Sequence, residues 1–149
     1  MRSMSAVKTP SDLLLIEDNP GDARLVEEAL KEFSRPVNLH HVKDGITALQ
    51  FLQQDGQYRN APRPKLILLD LNMPRKDGRE MLREIRNDPT SASIPVIVLT
   101  TSAAERDVDL CYAAGANCYL RKPVDVLEFI DLMKMIETFW LDTALTPSH

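Results

Sequence analysis

The chain has 149 residues, 44% of them apolar, and carries a formal net charge of -4 at pH 7 drawn from interspersed acids and bases. That length suits one domain, able to bury roughly 68–70 % of its unfolded surface, with no room for a second. The absence of a basic block argues against nucleic acid as a direct partner. No apolar run approaches the ~20 residues of a membrane span and the first residues, MRSMSAVKTPSD, have no signal core, so a cytoplasmic location with no membrane role is expected.

In chain order, residues 1–12 read as a flexible N-terminus, and the apolar run LLLIEDN places a first strand over Leu13–Glu17. Asn19 can cap a following helix and Pro20 suits its first turn, with Val26, Ala29, Leu30 and Phe33 at helical spacing. Asp22 is most simply a partner of the helix dipole. A second strand, Val37–Val42, carries His40 and His41, which alternation sends to opposite faces and so away from joint metal ligation. Helix two runs from about Ile46 to Gln54. The connection after it, DGQYRNAPRPK, exceeds the usual ~4–6 residues and marks either a partner contact or, more simply, a surface insertion.

A third strand, Leu66–Asp70, leads into LNMPRKDG, where Pro74 and Gly78 shape a tight loop. Helix three follows Gly78 with Met81, Leu82 and Ile85 as its apolar face. The fourth strand, Val96–Leu99, runs out through Thr100, Thr101 and Ser102. Helix four, about Ala104–Ala114, has only Val108 and Cys111 to bury and stops at Gly115, and so sparse a face suits an element that can shift. The fifth strand, Cys118–Leu120, precedes Lys122 and Pro123, a bond that can be cis and turn the lysine back toward the sheet. Cys111 and Cys118 show no metal or redox spacing and read as reduced core thiols.

The last helix, about Asp125–Leu141, carries a core stripe of Val126, Phe129, Ile130, Met133 and Ile136. Leu132, Met135 and Phe139 form a second stripe on what should be its outer face. Residues 142–149 form a C-terminal tail, in which His149 has no structural part, and domain limits of 13–141 result.

Five apolar runs alternating with five helical patterns define an α/β fold, a doubly wound parallel sheet covered on both sides. In such a sheet the crevice for chemistry lies beyond the carboxyl ends of the strands. Glu17, Asp18 and Asp70 therefore belong to one pocket, to which the fourth and fifth strands add hydroxyls and Lys122. Unit charges at about 4 Å repel by about 4 kcal/mol per pair at an effective dielectric near 20, against the ~5–15 kcal/mol that holds a domain together. A divalent ion relieves that repulsion, and an all-oxygen donor set favours Mg2+ over zinc.

The acidic pair in IEDN, the aspartate in LLDLNMPRKDG, the hydroxyls in VLTTS and the lysine in YLRKP, in that order and at those separations, resemble the receiver domains of two-component response regulators. The resemblance covers about Leu13 to Trp140. It implies a five-stranded flavodoxin-like sheet in the order 2-1-3-4-5 with five helices, and a chain that accepts phosphoryl on Asp70 from a histidine kinase. It further implies Mg2+ bound by Asp18 directly, by Glu17 through water, by Asp70 and by the Asn72 carbonyl. Thr100 and Lys122 would hold the phosphoryl group, and Tyr119 would change rotamer with the switch.

Within that family, LILLDLNMPRKDGREML, YRNAPRPK, NCY and FWLDTALTP look closest to the small regulators paired with cyanobacterial and bacterial phytochromes, which implies a light-sensing kinase and a homodimer. Output then passes through a protein surface, the stripe Leu132, Met135 and Phe139 supplying a symmetric contact on the face of helix four, strand five and helix five. An enzyme is not expected: an aspartate-nucleophile phosphatase would place a second acid two residues after the nucleophile, where this chain has Asn72. A constitutive, unphosphorylated interaction module remains the alternative, opposed by the complete set of site residues.

Overall fold

The computed structural model describes residues 9–71, 77–101 and 104–147; Asn72, Pro74, Ser102 and His149 lie outside them. Strands β1 (Ser11–Ile16), β2 (Val37–Val42), β3 (Leu66–Leu69), β4 (Val96–Thr100) and β5 (Cys118–Arg121) alternate with helices α1 (Pro20–Leu30), α2 (Gly45–Gln53), α3 (Gly78–Asn87), α4 (Glu105–Ala114) and α5 (Val126–Ile136). The strands form one parallel sheet in the order β2-β1-β3-β4-β5, as the family resemblance implied.

Alternation along the strands builds two cores. Leu14 and Ile16, Ile67 and Leu69, and Val96 and Val98 pack with α2, α3 and α4. Leu13 and Leu15, Leu66 and Leu68, and Ile97 and Leu99 pack with α1 and α5. The three inner strands are buried on both faces, so their apolar runs are continuous.

Local signals set most helix ends. Asn19 caps α1 by accepting from the Asp22 amide at 3.0 Å, and Asp44, Asp77 and Asp125 cap α2, α3 and α5 in the same way. Gly115 ends α4 with φ of 112°, where its amide closes the helix on Cys111 and Tyr112. Gly78 has a different reason. Its amide donates to the Leu71 carbonyl at 3.2 Å, and a Cβ there would stand 2.8 Å from Leu71 Cα, so the start of α3 lies against the exit of β3 with no space for a side chain. α4 buries only Cys111, in line with its sparse pattern.

Several boundaries differ from expectation. β1 begins at Ser11 rather than Leu13, because Ser11 and Asp12 pair with Val37 and Asn38; two residues of the supposed flexible N-terminus thus belong to the sheet. The loop after α2 is an ordered cover: it holds a 3₁₀ turn, Gly56–Tyr58, and Tyr58 packs on Phe51 while Gln54 Nε2 donates to Ala61 O at 2.7 Å. Val126 is 52% exposed and does not join the core stripe, since the first turn of α5, with Leu127 also exposed, packs only from Phe129 onward.

The last helix does not run regularly to Leu141. α5 passes into a π-helical segment, Glu137–Thr143, that rotates Leu141 into the α1–α5 core. Glu137 anchors it: its buried carboxylate accepts from Ser34 N at 2.8 Å, Ser34 Oγ at 3.1 Å and Arg35 N at 3.0 Å. Arg35 in turn pairs with Asp142 at 2.7 Å and donates to the Leu141 carbonyl. The segment assigned to a tail from residue 142 is therefore fastened in its first residues to the α1–β2 loop. Among the described residues no helix is long and apolar enough to cross a membrane.

Candidate functional site

Backbone registry brings the acidic residues together. Ile16 pairs with Leu69, so the next residues, Glu17 and Asp70, leave adjacent strands level with one another; Asp70 N donates to Ile16 O at 3.0 Å and Glu17 N to Val42 O at 3.0 Å. Glu17, Asp18 and Asp70 each offer a carboxylate oxygen, and these atoms lie within 4.8 Å of one another. Glu17 and Asp70 are buried and Asp18 half-buried. Such a set of hard oxygen donors fits a divalent cation of the Mg2+ class and offers nothing to a soft metal.

The other side of the site comes from β4 and β5. Thr100, fully buried, ends β4 next to Arg121, and the Lys122 amide donates to the Thr100 carbonyl at 2.7 Å, which fixes where the lysine leaves the sheet. Thr101 is exposed. Lys122 Nζ donates to Glu17 Oε1 at 2.8 Å and to Asp22 Oδ2 at 3.2 Å. It gets there without the cis bond considered for Lys122–Pro123, there being no cis peptide among the described residues.

This crowding shifts proton affinities. Burial pushes the Glu17 carboxyl up to about 7; its hydrogen bond with Asp70 adds to the rise, and Lys122 works against it. For Lys122, burial alone would weaken the ammonium, but the hydrogen bond to Glu17 and the charges of Asp70, Glu17 and Asp22 outweigh it and hold the proton more tightly than in free lysine. The lysine stays charged while the buried acids compete for too little positive charge.

Asp22 is the residue the sequence did not assign to the site. Its place in the first turn of α1 explained it as a dipole partner, yet its side chain also reaches across to Lys122. The signal was its position four residues beyond Asp18, which carries a first-turn side chain back over the strand end. Tyr119 sits half-buried on β5 against the α2–α4 core, and its backbone amide donates to Tyr112 Oη of α4 at 3.1 Å. The two histidines point apart as expected: His40 Nε2 meets Asp12 at 2.9 Å, and His41 Nε2 donates to the Glu17 carbonyl at 2.7 Å. Leu132 is half-buried, whereas Met135 and Phe139 are 66% and 55% exposed, and all three line a groove with Cys118 and Leu120 of β5.

Residues 13–136 match the family described as response regulator receiver domain. The chain is 48% identical over 139 residues to response regulator Rcp1 of Synechocystis sp., covering 93% of this chain and 95% of that protein. The Mn2+-bound form of Rcp1 superposes with a TM-score of 0.86, covering 93% of this chain and 100% of that one. The phosphorylated cyanobacterial phytochrome response regulator RcpA is 47% identical with a TM-score of 0.89, covering 94% and 100%. The receiver domain of a Pseudomonas aeruginosa sensor histidine kinase, with a magnesium ion in its active-site cleft, is 31% identical with a TM-score of 0.70, covering 89% and 98%.

The Glu17 shift carries a pH signature in metal-free buffer. The native carboxyl keeps its proton to about 7 while the unfolded one loses it near 4.5, so the folded state is favoured most below 4.5 and loses that advantage as pH rises to about 7. Urea unfolding in chelator should show wild type losing up to ~3 kcal/mol across this window relative to Glu17→Gln, by the conversion of a pKa difference into free energy. Parallel pH profiles for the two proteins would show that Glu17 titrates normally.

Proposed function

Since this chain belongs to the response regulator receiver domain family and is related to the phytochrome response regulators, we propose that it is a phosphorylation-dependent signalling switch whose Asp70 accepts a phosphoryl group from a sensor histidine kinase, a phytochrome. The observation that carries this reading is the position of Asp70 at the exit of the central strand, level with Glu17 and within 4.8 Å of the acidic pair, with Thr100 and Lys122 at the ends of the next two strands. A carboxylate oxygen of Asp70 attacks phosphorus, the bond to the donor imidazole nitrogen breaks, and an acyl phosphate results while the imidazole takes up a proton.

Mg2+ is the proposed resident ion, which Asp18 would hold directly and Glu17 through water, with Asp70 and the carbonyl of Asn72 as the further ligands the resemblance implies. When bound it supplies charge neutralisation to the phosphoryl oxygens. The chain's own part is positioning and electrostatics, the main demands of phosphoryl transfer. Lys122, kept protonated by the surrounding carboxylates, grips the phosphoryl group, and the Thr100 hydroxyl donates a hydrogen bond to it. Each charge-assisted bond contributes about 1.5–3 kcal/mol, so two or three reach the ~5.5 kcal/mol that inverts a 1:99 equilibrium. Tyr119 and α4 are the elements this bias moves: α4 is held to the core by Cys111 alone among its fully buried side chains and is tied to the Tyr119 backbone through Tyr112. Output goes to another protein in the cytoplasm.

A homodimer on the α4–β5–α5 face is part of the proposal. Support comes from the exposed Met135 and Phe139, which with Leu132, Leu120 and Trp140 line an apolar groove along the edge of the sheet.

Incubation with a phosphorylated kinase or a small phosphodonor, followed by peptide mass mapping, should label Asp70 only in the presence of Mg2+ or Mn2+. Stoichiometric labelling that persists at another carboxylate in Asp70→Asn would overturn the assignment. In sedimentation, Leu132→Glu/Phe139→Glu should be folded and monomeric where wild type dimerises, and a double mutant that dimerises as tightly as wild type would remove this face from the interface.

A further inference from the structure

The lysine that the switch uses is already occupied, and by two acids of different kinds. Glu17 belongs to the metal pocket, whereas Asp22 stands on α1, 40% exposed at its side chain and outside the group of carboxylates close enough to share an ion. Lys122 Nζ lies 2.8 Å from Glu17 Oε1 and 3.2 Å from Asp22 Oδ2, and its own side chain is only 10% exposed. A cation entering the pocket competes with Lys122 for Glu17. Displacement would leave a nearly buried ammonium to the charges of Asp70 and Asp22, and Asp70 belongs to the same carboxylate group that the cation engages, so only Asp22 remains as a counter-charge outside the metal pocket.

We propose that Asp22 is a positioning residue that retains Lys122 when a divalent cation engages Glu17, so that metal loading releases the lysine from the pocket without losing it to solvent. The geometry fits that use. Asp22 is anchored by its own backbone, whose amide is held by the Asn19 cap at 3.0 Å, so the carboxylate approaches from a fixed helix end. Its exposure leaves it hydrated when Lys122 moves on to a phosphoryl group. The lysine thus already touches the group that would retain it once Glu17 is taken up, and Asp22 acts on the reaction through Lys122 alone. This rests on reading the acidic pocket as a divalent-metal site.

The test is a double-mutant cycle in Mg2+ affinity, measured by calorimetry on the unphosphorylated full chain: wild type, Asp22→Asn, Lys122→Gln and the double variant, with Asp22→Glu as the conservative control. Asp22→Asn should weaken Mg2+ binding roughly threefold when Lys122 is present, the scale of a partly exposed ion pair. It should do nothing measurable in the Lys122→Gln background, and Asp22→Glu should bind like wild type. Equal weakening in both backgrounds would make Asp22 a mere distant charge, and no weakening in either would give it no part; both overturn the proposal. Failure of wild type to bind Mg2+ at all would overturn the metal site itself and the handover with it, a result separate from the other two.

Discussion

Three carboxyl groups from two adjacent strands meet one ammonium at the carboxyl end of the sheet, and the surrounding structure is arranged to hold that imbalance in place. Each pair of like charges at about 4 Å costs about 4 kcal/mol at an effective dielectric near 20, a force the side chains would relieve by turning outward if their backbones could yield. They cannot. Glu17 and Asp70 leave the buried ends of two strands in fixed register, each amide bonded to the strand beside it. Burial above all, with the hydrogen bond to Asp70, raises the Glu17 pKa, and Lys122 is drawn in beside it, so the pocket carries less negative charge than three ionised carboxylates would.

The two faces of the sheet divide the labour. On one side α1 and α5 are locked together, and the Glu137 and Arg35 contacts fasten the end of α5 to the loop before β2. On the other side the packing thins toward the edge. α3 presses Gly78 on Leu71 directly after β3, while α4 beyond it has one fully buried side chain and a 3.8 Å ion pair from Asp107 to Arg79 of α3. In the proposed switch, a charge event at Asp70 would meet a firmly packed element on one side and a loosely held one on the other, which would direct the response toward α4 and Tyr119.

Periodicity carried the reading of the fold. Continuous apolar runs on the inner strands and capping residues such as Asn19 and Asp125 are local signals, and strand and helix positions followed from them to within a residue or two, apart from the end of the last helix. The acidic pocket was legible for a related reason, because strand ends converge in any parallel sheet. What escaped depended on contacts distant in sequence. The π-helical segment is set by Glu137 reaching Ser34 and Arg35, about a hundred positions away. The role of Asp22 depends on Lys122, equally far. Val126 was misassigned because a helical stripe records phase but not where the underlying sheet begins to support it.

The central claim is that the carboxylates of Glu17, Asp18 and Asp70 together form a divalent-cation site at the exit of β1 and β3. Crystals soaked in Mn2+ and measured at its absorption edge test it most directly. One strong anomalous peak is expected between these three side chains, with Lys122 Nζ withdrawn from Glu17 and still within reach of Asp22. A saturating soak that left no peak there, or placed the ion elsewhere with Lys122 still on Glu17, would contradict it.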